Sequence, residues 1–98
     1  MTKELEKKLT VLKDNHDLVR RKYCVKNIGI FGSFSTGKSH SKSDVDVLVD
    51  FKSPISLFEF LELEEFLSKA MKRKVDLVSK KGLKKAIRKD VLNQTVYA

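Results

Sequence analysis

Apolar and polar positions along the 98-residue chain change period several times, and each change marks an element. Leu5, Leu9, Leu12, His16, Val19 and Tyr23 recur at alternating steps of four and three. That is the spacing of one stripe on a helix, and it predicts a helix over residues 2–23. The run from Asn27 to Phe31 predicts a short buried strand that empties into a Gly/Ser-rich stretch, Gly32 to Ser39. From Asp44 the period falls to two: Val45, Val47, Val49 and Phe51 alternate with Asp44, Asp46, Leu48 and Asp50. A strand follows with one apolar face and one face that begins with carboxylates. Ser56 and Glu59, behind Pro54, have capping-box spacing and open a helix to Met71, with Leu57, Phe60, Leu61, Leu67 and Met71 as its core face. Lys74 to Val78 predicts a third strand, and Gly82 to Asn93 a last helix with Leu83, Ile87 and Val91 inward. The order is αβ(short α)βαβα. It describes a small mixed three-stranded sheet covered by helices, in the α/β or α+β class, with strand adjacency left open.

Length and charge narrow this picture. The size is that of one domain, residues 1–98, and a (β/α)₈ barrel would need roughly 250 residues. Chemistry that requires a separate acceptor domain would have to borrow it from a partner. A single cysteine, Cys24, rules out an internal disulfide, and with only His16 and His40 beside it there is no Cys/His set for zinc. The N-terminal segment is charged and periodic, with no run of about 18 apolar residues anywhere, so a soluble, cytoplasmic, membrane-free protein is expected. The net charge of +8 points toward nucleic acid until the charges are located. Residues 1–26 carry +4, 27–68 carry −4, 69–89 carry +9 and the remainder −1. The carboxylate-bearing third is therefore acidic, and the basic excess from Lys69 to Lys89 lacks the interleaved aromatics that stack bases. A partner-docking or nucleotide-steering surface explains that run as well as RNA does, and so does a solvated helix face.

The densest polar constellation is Gly32-Ser33, ten further residues, then Asp44-Val45-Asp46. Residues i and i+2 of a strand share a face, so Asp44 and Asp46 could hold the same cation between them. Magnesium fits best, because it takes oxygen ligands and is usually held by one or two carboxylates together with substrate phosphates. Gly32 and Ser33 would offer backbone N–H groups and a hydroxyl to a polyphosphate. Asp76, between Val75 and Leu77, is costly to bury unpaired and should face solvent, a cation or a metal. An Asp-x-Asp at a strand start is often only a solvated edge or a turn cap. Here three features fall together: Gly-Ser after one strand, paired aspartates opening the next, and a lone aspartate in the third.

The stretch IGIFGSFSTGKSHSKSDVDVLVDF resembles the Gly-Ser-x₁₀-Asp-x-Asp signature of the polymerase-β-like nucleotidyltransferases, with no gap in the spacing. With RKVDLV around Asp76 and the close VLNQTVYA, nearly the whole chain resembles the minimal nucleotidyltransferase antitoxins. The resemblance implies the minimal nucleotidyltransferase fold and a protein adenylyltransferase. Its action would be transfer of AMP from ATP to a tyrosine of a cognate HEPN ribonuclease toxin, in a heteromeric complex with it. It also implies that Asp44, Asp46 and Asp76 are catalytic and bind magnesium, as two ions, and that Gly32 and Ser33 hold the triphosphate. Lys42 and Ser43 lie in the same loop and are expected to contact nucleotide. Phe34 and Thr36 stand where members of that family commonly carry arginine or another polar residue. From a different class comes the alternative of a non-catalytic antitoxin or RNA-binding module acting by binding alone. Gly32 to Ser39 also satisfies the P-loop pattern G-x-x-x-x-G-K-[ST]. A P-loop must run into a helix, however, and only His40, Ser41, Lys42 and Ser43 separate it from the aspartate-bearing strand.

Overall fold

The computed structural model describes residues 2–40 and 42–98. Helices α1 (Lys3–Asp14) and α2 (His16–Tyr23) lead into β1 (Val25–Phe31), the one-turn α3 (Ser33–Thr36) and β2 (Val45–Phe51). Then come α4 (Leu57–Met71), β3 (Val75–Ser79), a 3₁₀ turn at Lys80–Gly82, α5 (Lys85–Gln94) and the two-residue β4 (Val96–Tyr97). The sheet has four strands in the order β3-β2-β1-β4, one more than the periodicity predicts. β1 is antiparallel to β2 and β4, and β2 is parallel to β3 through the α4 crossover.

One face of the sheet carries the core. Ile28 and Ile30 of β1, Val45, Val47 and Val49 of β2, and Val75 and Leu77 of β3 are buried in one cluster with Leu5, Leu9 and Leu12 of α1, Val19 and Tyr23 of α2, and Leu63, Leu67 and Met71 of α4. Each such side chain contributes roughly 1.5–3 kcal/mol by leaving water. The helix expected over residues 2–23 is broken at Asn15, whose side-chain amide donates to the Val11 carbonyl at 2.8 Å and stops the regular turn there. The apolar stripe survives the break, because Val19 and Tyr23 are as buried as Leu5 and Leu12. His16 is half-buried at the start of α2. Cys24, which sequence position suggests as a small core residue, is half-buried and caps α2 with a left-handed φ of 57°.

The capping box of α4 forms: Ser56 Oγ accepts the Glu59 N–H at 3.1 Å and Glu59 Oε1 accepts the Ser56 N–H at 3.1 Å. Its buried face is Leu63, Leu67 and Met71, whereas Leu57 and Leu61 project outward with Phe58. The helix is apolar on two stripes, and the sheet covers only one. Glu64 and Ser68 accept the Leu77 and Val75 N–H groups at 2.8 and 3.0 Å, so α4 side chains satisfy donors on the outer edge of β3. The last helix begins at Lys85 rather than Gly82, because Leu83 and Lys84 are extended and no side chain caps the helix start. Val91 alone of its predicted inward stripe is buried, with Ile87 about half exposed.

Candidate active site

Three chain segments bring their polar residues to one end of the sheet. Phe31, the last residue of β1, pairs with Asp46, and Asp46 pairs in turn with Asp76 of β3. Cross-strand partners share a face. Val45, Val47, Val75 and Leu77 point into the core, so alternation turns Asp46 and Asp76 away from it together. Asp44 precedes β2 by one residue and is exposed, with Lys74 Nζ 3.9 Å away on the lead-in to β3. Both of those side chains are exposed, so the pair contributes little.

Gly32 closes the site from the β1 side. Its backbone has φ 73° and ψ −145°, and a Cβ there would fall on Asp46 Oδ2 and lie 3.1 Å from Cγ. Glycine is thus required twice, by conformation and by the carboxylate that rests against it.

Burial pushes the Asp46 carboxyl above the usual carboxylate range, and the charges of Asp76 and Asp44 add to the rise. A carboxyl raised on folding holds its proton more tightly in the native state. The stability it contributes is therefore present at low pH and lost as pH rises through its folded pKa. In chelator, Asp46→Asn should melt at a higher temperature than the wild type at neutral pH, and the two melting curves should converge on acidification through the carboxylate range. An Asp46→Asn protein that melts lower at pH 7 would show that the carboxylate is not under this strain.

Among the described residues, no three His, Cys, Asp or Glu side chains close into a ready-made metal cage. The charges felt at Asp46 are those of the Asp76 and Asp44 carboxylates, and carboxylate oxygens suit a hard divalent cation. Partial burial of Asp46 between two like charges is relieved by such a cation.

The Gly/Ser-rich stretch is not a P-loop. Its single helical turn, α3, ends at Thr36, with Gly37 left-handed at φ 78°, so the helix precedes the Gly-Lys-Ser sequence instead of following it. Ser33 is the first residue of that turn, half-buried beside Gly32. Lys38 and Lys42 are exposed. Ser43 is tied into its own loop: its Oγ accepts the His40 N–H at 2.8 Å and its N–H donates to the His40 carbonyl at 3.0 Å. The Lys42 N–H donates to His40 Nδ1 at 3.2 Å. A residue given no role by the sequence reading, Arg73 at the head of RKVDLV, also reaches this loop. Arg73 donates to the carbonyls of Ser43 and His40 and lies over the Phe34 ring. Its position just before the Asp76 strand is the one signal in the sequence that marks it.

A mixed sheet with a Gly-Ser turn facing paired aspartates is the fold of a nucleotidyltransferase. The chain matches the nucleotidyltransferase domain family over residues 6–98 and belongs to it. Over 94 residues, 96% of this chain and 92% of the relative, it is 45% identical to the protein adenylyltransferase MntA of Thermococcus cleftensis. A solved structure provisionally assigned as a minimal nucleotidyltransferase superposes with a TM-score of 0.81 at 28% identity, covering 94% of this chain and 93% of that one. A chain from a toxin–antitoxin crystal structure with AMP-PNP superposes at 0.71 and 27% identity, covering 98% of this chain and 72% of that one. No helix among the described residues is long and apolar enough to cross a membrane.

Proposed function

We propose that the protein transfers AMP from ATP to a tyrosine of a HEPN ribonuclease toxin and thereby neutralises it. The observation that carries this reading is the Asp46–Asp76 rung with Gly32 packed on Asp46, in a chain 45% identical to a protein adenylyltransferase. In the proposed site Asp44 and Asp46 hold the magnesium ions and Asp76 completes their ligand set. Bound there, magnesium supplies charge neutralisation at the phosphate oxygens during an in-line displacement. Gly32 leaves room for the triphosphate, Ser33 offers its hydroxyl and N–H, and Lys42 adds a cation. Ser43 contributes by shaping the loop. The tyrosine oxygen bonds to the α-phosphorus as the bond to pyrophosphate breaks, and the phenolic proton passes to Asp76.

A protein acceptor needs a docking face, and α4 offers one. Leu57, Phe58 and Leu61 are 73%, 80% and 52% exposed. Leu57 also lines a groove of about 470 Å³ together with Phe51, Pro54, Ile55 and Phe60. Contiguous exposed apolar side chains of this kind mark protein contacts. Phe58→Asp is expected to weaken capture of the toxin by about 10–100-fold, the loss of a central aromatic anchor. Binding of magnesium-ATP, followed by the rise in melting temperature, should be unchanged in that variant.

The test of the whole reading uses ATP labelled at the α-phosphate, magnesium and the HEPN toxin. Label on a toxin tyrosine, with loss of ribonuclease activity, is expected. Protection without label would favour the second reading, antitoxin action by binding alone. The exposed lysines Lys81, Lys84 and Lys85 could then serve an RNA surface, and salt-sensitive RNA retention lost on their charge reversal would identify it.

A further inference from the structure

We propose that Arg73 is a positioning residue, one that holds the loop before Asp44 so that Asp44 and Asp46 meet Asp76. The proposal rests on the reading of those carboxylates as the site of nucleotidyl transfer. Arg73 Nε donates to the Ser43 carbonyl at 2.7 Å and Nη2 to the His40 carbonyl at 2.6 Å. These are short, charge-assisted bonds from a planar fork whose donors are fixed relative to one another. The guanidinium carbon sits 5.3 Å from the centroid of Phe34, which is 1% exposed and anchors α3 behind Gly32.

The backbone of Arg73 is equally fixed. α4 ends in a Schellman turn, with Lys72 left-handed at φ 54°, the Lys72 N–H on the Lys69 carbonyl and the Arg73 N–H on the Ser68 carbonyl at 3.1 Å. One residue further on, the Lys74 carbonyl accepts the Val45 N–H at 2.9 Å, where the β2–β3 pairing begins. Arg73 therefore joins three parts: the segment that leads to Asp76, the loop that leads to Asp44 and Asp46, and the turn that follows Gly32. No helix or strand among the described residues spans Gly37 to Asp44, so the loop relies on bonds of this kind for its course. Lysine cannot replace the fork, because a single ammonium on a flexible stem does not hold two carbonyls in a set geometry.

A displacement of about 1 Å at reacting groups costs about 10²-fold in rate. Arg73→Lys and Arg73→Ala are both expected to lower kcat for AMP transfer by about 10–100-fold, with KM for ATP nearly unchanged. In nucleotide-free protein both should also raise amide hydrogen exchange at His40, Lys42 and Ser43, with β1 and β2 remaining protected. Arg73→Lys keeps the charge and the apolar stem, so it stays informative if the alanine variant folds poorly. Wild-type kcat in Arg73→Lys would overturn the proposal, as would loop exchange at the wild-type rate in both variants. A raised KM with unchanged kcat would make Arg73 a direct nucleotide contact and overturn it as well. A wild-type protein without transfer activity fails before any variant is compared, and would overturn the reading of the site and the catalytic half of the proposal with it.

Discussion

Replacing Asp44 and Asp46 together by alanine is expected to lower AMP transfer to the toxin by about 10³–10⁴-fold, while the protein still folds and still captures its partner. The size follows from the charge stabilisation supplied by a bound metal, worth several kcal/mol, at about 1.4 kcal/mol per tenfold in rate. Retention of the fold follows from the structure. Asp44 is exposed ahead of β2, and Asp46 is a carboxylate whose ionisation the folded state opposes. Neither side chain makes a hydrogen bond among those of the described residues, and the residues that flank Asp46 on β2, Val45 and Val47, keep their places in the core. Transfer is read from label on the toxin, and folding from the melting curve. Full protection from toxicity by this double variant would defeat the enzymatic account and leave binding alone. Lys38→Ala offers a comparison, since Lys38 is exposed and no helix follows it. Its loss should cost far less than loss of the carboxylates, whereas in a P-loop enzyme the lysine would be the indispensable residue.

Gly32→Ala should have the second largest effect, and on stability as well as rate. At φ 73° and ψ −145° the backbone occupies a region essentially restricted to glycine, where another residue costs about 1–3 kcal/mol. In a chain of this size that corresponds to a fall in melting temperature of roughly 5–20 °C. The added methyl also displaces the Asp46 carboxylate, because the two would occupy the same space. Activity at a temperature where the variant is fully folded should fall by at least about 10²-fold, as for other small misplacements of reacting groups. Gly37→Ala separates the two causes. Gly37 is also left-handed, at φ 78°, but nothing lies within 4 Å of where its Cβ would stand. It should lose stability and keep most of its activity. Equal losses of rate in the two variants would show that contact with Asp46 is not what makes Gly32 necessary.

The parts of the molecule that were legible in the sequence are those fixed by local pattern. Period-two alternation located β2, the Gly-Ser spacing located the turn opposite it, and Ser56 with Glu59 located the start of α4 to the residue. What escaped depended on distant partners. β4 is two residues long, and it exists because Val96 and Tyr97 find Ile30 and Gly29 across a sheet edge. Gly29 is small enough to admit them: a Cβ there would come within 2.7 Å of the Val96 carbonyl oxygen. The choice between the two apolar stripes of α4 is made by the sheet, and both stripes look alike in the chain. Arg73 acts on carbonyl groups of residues about thirty positions away, and a backbone carbonyl has no sequence signature.

The rung that unites Asp46 with Asp76 belongs to the parallel pair of the sheet, and parallel strands cannot be joined by a hairpin. The chain must run through the whole of α4 before the two carboxylates meet, so the site is a high-contact-order feature that pays loop-closure entropy before its contacts form. Turn and carboxylate pair on β1 and β2 are antiparallel neighbours and need no such crossover. Asp76 is thus placed by the pairing of β3 on β2, which α4 supports through Glu64 and Ser68. A local opening of β3 would take Asp76 away from Asp46, so the meeting of the two carboxylates is tied to the local unfolding free energy of that segment.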